Sequence, residues 1–138
     1  MKSLHFLLPL TLYTTTALSQ GIYINSPAPG SQLSAGSSIT VQVARYDFIQ
    51  SVAEIGLGIG FSSCTNGCPD PTASLGTLGY SGGYDPEFGP GIHDQYENFT
   101  MTVPETTGPA QIGVVRAFLV GLGYETTIGS AVANVTIV

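Results

Sequence analysis

Apolar and polar residues alternate one for one through Ile39, Val41 and Val43, through Ile55, Leu57, Ile59 and Phe61, and through Phe99, Met101 and Val103. A period of two puts one set of side chains on each face of an extended strand; a helix would need apolar residues three and four apart. Seven such segments stand out, near 21–25, 37–46, 51–61, 74–80, 95–103, 110–120 and 127–138. They are rich in β-branched residues, and Gly or Pro marks most junctions. Short strands at this spacing predict an all-β chain folded as a single antiparallel β-sandwich of about seven strands. The chain has no tryptophan and its two cysteines are too close in sequence to bridge two sheets. It therefore reads as immunoglobulin/fibronectin-III-like rather than as a true immunoglobulin domain. Pro27 to Gly30, followed by Ala35 to Ser37, reads as the loop between the first two strands.

The alternation also assigns faces. Ile39, Val41 and Val43 point inward, as do Ile55, Leu57, Ile59 and Phe61, then Phe99, Met101 and Val103, then Ala133, Val135 and Ile137. Between the apolar residues of the third segment stand Gly56, Gly58 and Gly60, a sheet face almost without side chains. Either a neighbouring loop or aromatic covers that face, or a partner docks on it. Gly56 to Gly60 also looks like a nucleotide loop, but no helix follows it, so that fingerprint fails.

Lys2, the apolar run from Leu4 to Leu12 and the small residues Ala17 and Ser19 predict a secretory signal peptide over residues 1–19. Cleavage after Ser19 would expose Gln20, which can cyclise, and leave residues 20–138 as the sandwich domain. No small-residue site followed by a hydrophobic tail closes the chain, so no membrane anchor is expected. The chain beyond Lys2 holds two arginines against nine carboxylates. Such a balance cannot neutralise a run of phosphates, and it disfavours both nucleic acid and anionic membranes as partners.

Asn98-Phe99-Thr100 and Asn134-Val135-Thr136 are N-glycosylation sequons. Both asparagines fall on the polar side of their strands, where an acceptor is accessible after folding. In a sandwich of this order the two strands belong to opposite sheets.

Cys64 and Cys68 are the only cysteines, and in an oxidising compartment they are expected to pair. Closing so short a loop contributes about 2 kcal/mol on the chain-entropy model and mainly shapes a turn. Asp85, Glu87, His93, Asp94 and Glu97 crowd one loop, but their spacing fits neither a calcium loop nor a histidine pair; a solvated acidic loop is the simpler reading. No nucleophile elbow accompanies His93, and no pair of carboxylates is marked out. No enzyme, metal or cofactor is expected. Tyr80, Tyr84, Phe88 and Tyr96 surround the same loop, either as partner or sugar contacts or as pins holding the loop to the sandwich. Arg116 lies in an otherwise apolar strand. It is either an internal charge paired with Glu54 or a contact for an acidic partner.

Glu54-Ile55-Gly56-Leu57-Gly58, Cys64 to Asp70, Leu75 to Tyr80, Tyr96 to Pro104, Phe118 to Gly121 and Asn134 to Val138 together resemble the necrosis-inducing secreted protein family of fungal effectors. The Cys loop followed by the Asn-Phe-Thr strand is the most distinctive part. The resemblance implies a small secreted fungal protein that interferes with plant immune signalling, binds receptor-associated immune kinases and provokes cell death in leaves. It carries over no catalytic residues. The competing expectation is an extracellular module that binds cell-wall polysaccharide or another carbohydrate.

Overall fold

The computed structural model describes residues 21–47 and 50–138; the expected signal peptide, its cleavage point and Gln20 lie outside the described residues. Eight strands follow one another: β1 (Ile22–Ser26), β2 (Ser31–Leu33), β3 (Ser38–Arg45), β4 (Val52–Ser63), β5 (Thr77–Gly82), β6 (Gln95–Thr102), β7 (Gly108–Val120) and β8 (Glu125–Ile137). They form a three-stranded sheet, β1-β3-β6, facing a five-stranded sheet, β2-β8-β7-β4-β5. All pairings are antiparallel except that of β2, which runs parallel to β8. This is the expected immunoglobulin/fibronectin-III-like sandwich with one strand more. The extra strand arises inside the predicted first loop. Pro27 and Pro29 lack the N–H groups needed to extend β1 along β3, so the chain crosses over. Ser31 to Leu33 then pairs with Val135 to Ile137 of the other sheet.

The inward sets Val41 and Val43, Leu57, Ile59 and Phe61, Phe99 and Met101, and Val135 and Ile137 are buried in one continuous core, with Ile39 half-buried against it. Ile55 departs from the pattern: it is 56% exposed. Glu54 pairs with Phe118 and Gly56 with Ala117, so Ile55 is an extra residue in the ladder, a β-bulge. The bulge turns Ile55 outward and Glu54 inward, towards Arg116. Arg116 faces the core in line with Ile112, Val114 and Phe118 and is wholly buried. Magnitudes explain why the pattern gives way here. Burying an isoleucine is worth about 1.5–3 kcal/mol, whereas an uncompensated buried charge costs several kcal/mol.

The glycine face of β4 is covered by the chain's own loop. Beyond Cys68 the chain makes one turn held by Asp70, whose Oδ1 accepts from the Thr72 amide at 2.9 Å and the Thr72 hydroxyl at 2.7 Å. These bonds hold the Asp70 carboxyl below its ordinary range. Pro71 then sits over Gly113, and Leu75 lies over Gly58 and Gly60. A methyl group at Gly60 would collide with the Leu75 carbonyl, so the close approach requires glycine there. The Gln111 side-chain amide, buried beneath, donates to the Pro69 carbonyl at 2.8 Å.

Candidate contact surface at one end of the sandwich

The strand register brings three connections to the same end. β3 ends at Arg45 opposite the start of β6 at Gln95, β5 ends beside Leu57, and β7 ends at Val120 opposite Val52. The β3–β4, β5–β6 and β7–β8 connections therefore share this end, as the recognition loops of an antibody variable domain do.

The β5–β6 connection, residues 83–94, is pinned along its length. The Tyr84 hydroxyl donates to the Val43 carbonyl at 3.1 Å, and the ring is buried. Burial pushes the Tyr84 hydroxyl above its ordinary value, against the pull of the Arg116 charge. The Tyr80 hydroxyl donates to Gly83 at 2.6 Å while its ring packs 4.4 Å from that of Phe99. Glu87 and Tyr96 exchange two backbone hydrogen bonds of 3.0 Å, and the Tyr96 hydroxyl donates to Pro90 at 2.9 Å. Gly89 has no side chain because that hydroxyl occupies the space a methyl group would need. At the far end of the loop, the Tyr23 hydroxyl donates to Asp94 at 2.7 Å. Burial, helped by this bond and by the carboxylate charge, pushes Tyr23 up to about 12.

Of the four aromatics around the loop, Tyr80, Tyr84 and Tyr96 thus pin it, and the reading of buried Tyr84 as a contact residue is corrected. Phe88 is 65% exposed and has the loop as its platform. The β7–β8 tip adds Leu122, 98% exposed, and Tyr124, 68% exposed.

Arg116 is likewise corrected as a contact for a partner, because it is internal. Its Nε donates to Glu54 Oε2 at 2.7 Å and its Nη2 bonds Glu54 Oε1. Arg45 of the facing sheet reaches the same Oε1 at 2.8 Å, and its Nε donates to Gln95 Oε1 at 2.9 Å. One carboxylate thus ties the two sheets together. The Arg116 guanidinium lies 3.7 Å from the centre of the Phe118 ring, a cation–π stack that replaces part of its hydration.

The other expected residues lie elsewhere. Cys64 and Cys68 are at disulfide distance, their Cα atoms 4.3 Å apart, at the opposite end. Asn98 and Asn134 are exposed on opposite sheets, as their register requires. Asn98 pairs with Gln42 in mid-sheet, and Asn134 lies opposite Gln111, towards the disulfide end. Among the described residues no three His, Cys, Asp or Glu side chains come together as a metal site. The best-formed clefts measure about 150, 300 and 270 Å³, at or below the low end of small-molecule sites, about 300–1,000 Å³.

Sequence reasoning missed Arg45 as the third member of the charged cluster and missed the exposed β7–β8 tip. Arg45 is the last residue of a strand and carries no motif. The Gly-Leu-Gly-Tyr run at 121–124 is a turn signal that could have flagged the tip.

Comparison with known proteins gives three results. Fibronectin(III)-like modules of CbhA from Clostridium thermocellum are similar in structure, with a TM-score of 0.40 and 15% sequence identity over 84% of this chain and 93% of the module chain. A search of curated proteins found no matching relative. The sequence model of the Nis1 family, a fungal effector family, matches residues 18–137. With nearly the whole chain matched, this protein belongs to the Nis1 family.

Proposed function

We propose that this chain is a secreted, non-enzymatic effector that acts outside the fungal cell by protein–protein contact through the loop end of its sandwich. In keeping with the family it resembles, its partners are the receptor-associated kinases of plant immunity. Binding suppresses their signalling and can end in cell death. The observation that carries this reading is Phe88: a large apolar ring held out to solvent by a loop fastened through Tyr80, Tyr84, Tyr96 and Tyr23. An exposed aromatic on a fastened loop is the form that binding hot spots take, because little loop entropy remains to be lost on association. The tyrosine hydroxyls around it are used in holding the loop. The effector role assigned to the family agrees with a contact surface of this kind.

A second reading has one observation in its favour. Phe88 and Tyr124 are two exposed rings at one end, on which a wall polysaccharide could stack. Two measurements separate the readings. Isothermal titration of the purified mature protein with the catalytic domain of a receptor-associated immune kinase should give saturable binding. Pull-down on chitin and on β-glucan should leave the protein in the flow-through. Retention on either polysaccharide together with no heat of kinase binding would replace the effector reading by the wall-binding one.

A further inference from the structure

We infer that the loop end is built for a cationic partner surface: an apolar pocket that receives Phe88, ringed by lysine or arginine side chains. This rests on the contact reading above and adds the chemistry of the partner. Three features of the molecule point to this end.

The first is the fate of its cations. Among the described residues the strongly basic side chains are Arg45 and Arg116. Both are drawn into the cluster around Glu54, with side chains 20% and 0% exposed. The carboxylates stay outside. Asp85, Glu87 and Glu125 are exposed in or beside the two loops that carry Phe88, Leu122 and Tyr124. The apolar residues are therefore framed by carboxylates, and among the described residues the one lysine or arginine left partly exposed, Arg45, is paired with Glu54. Such a surface repels acidic partners and attracts basic ones before contact.

The second feature is rigidity. The Glu87–Tyr96 backbone bridge and the Tyr96–Pro90 hydrogen bond fix the residues on both sides of Phe88. Charge and ring are presented in one set geometry, which favours a partner of matching pattern over basic proteins in general.

The third is the placement of the sequons. Asn98 sits in mid-sheet and Asn134 towards the opposite end. Glycans there would leave the loop end bare, while covering sheet faces that could otherwise compete for partners.

The division of labour between charge and ring is testable. Charge acts on the approach and therefore on the association rate; the buried ring acts on the dissociation rate. The experiment measures binding kinetics of the mature protein on the immobilised catalytic domain of a receptor-associated immune kinase, at 50 and 300 mM salt. Glu87→Lys should slow association at low salt about tenfold. Glu105→Lys, the same charge change beyond β6 at the opposite end, should leave it within about twofold. Phe88→Ala should speed dissociation about 30-fold with an unchanged melting temperature, since the ring is mostly exposed. If Glu87→Lys and Glu105→Lys slow association equally, net charge alone is steering, and the loop-end inference is overturned. If the native protein binds and Phe88→Ala matches it, the inference falls while the effector reading survives. If the native protein does not bind the kinase domain, the kinase reading falls. The inference is then decided in leaves, where Phe88→Ala and Glu87→Lys must each weaken the response to the protein, and full activity of both would overturn it.

Discussion

Glu54→Ala is expected to be the most damaging single change at an ionisable residue in this chain. Glu54 accepts from Arg116 Nε at 2.7 Å and from Arg45 Nη1 at 2.8 Å, so it joins a wholly buried cation to the facing sheet. An exposed ion pair would be worth about 0.2–1 kcal/mol. Removing one partner of a buried pair costs about 3–5 kcal/mol, because the other charge is left in a site it cannot leave. Against a total of about 5–15 kcal/mol for a domain, that is about a fifth or more of the stability. At about 4 °C per kcal/mol for a domain of this size, the melting temperature should fall by about 12–20 °C. Thermal unfolding followed by circular dichroism at pH 7, with urea titration as a second measure, reads the effect directly. The double variant Glu54→Ala/Arg116→Met should recover most of the loss. A methionine fills the space beside Phe118 without a charge, and apolar replacement of buried pairs is commonly neutral or stabilising. A drop below about 4 °C for Glu54→Ala, or a double variant no more stable than the single one, would refute the reasoning.

Gly60→Ala should destabilise by about 1–3 kcal/mol, because its methyl group meets the Leu75 backbone and lifts the covering loop. Gly83→Ala, with open space around it, should not, and limited proteolysis near residues 69–76 should increase only in the first. Tyr23 has its folded value raised from 10.0 to about 12, so the fold favours its protonated form; its contribution is intact below pH 10 and lost as pH rises from 10 towards 12. Urea titrations across that window should show a stability loss that Tyr23→Phe reduces; an unaltered pH dependence would argue against the Asp94 contact. Replacing Cys64 and Cys68 by serine should cost about 2 kcal/mol and leave association kinetics unchanged, since the loop they close lies at the other end. Protein secreted from a glycosylating host should lose mass on treatment with an N-glycosidase, and Asn98→Gln/Asn134→Gln should abolish that shift.

The fold was largely legible because period-two alternation is a local signal. The expected segments near 37–46 and 95–103 correspond to β3 and β6, and the inward sets of β3, β6 and β8 are buried or half-buried as read. Ile55 was misplaced for a reason outside local pattern. A bulge depends on what the neighbouring strand brings opposite, and β7 brings Arg116, 62 residues away from Glu54 in sequence. The extra strand β2 was hidden because three residues are too few to show a period. At the surface, four aromatics in one loop looked alike in sequence. The hydroxyls of Tyr80, Tyr84 and Tyr96 let them bond inward to backbone carbonyls, while Phe88 has no such group, a distinction that only the fold makes visible. The family resemblance rested on short pieces spread along the chain, all of which, but for the final Val138, fall within residues 18–137, the span the Nis1 family model matches.

The central claim is that this sandwich works by occupying an immune component through its loop end, without chemistry of its own. The most direct measurement is the flagellin-triggered oxidative burst in leaves that accumulate the mature protein, beside leaves that accumulate Phe88→Ala to the same level. The account predicts a damped burst with the native protein and a burst restored towards the control with the variant. An unchanged burst at confirmed accumulation of the native protein would contradict it.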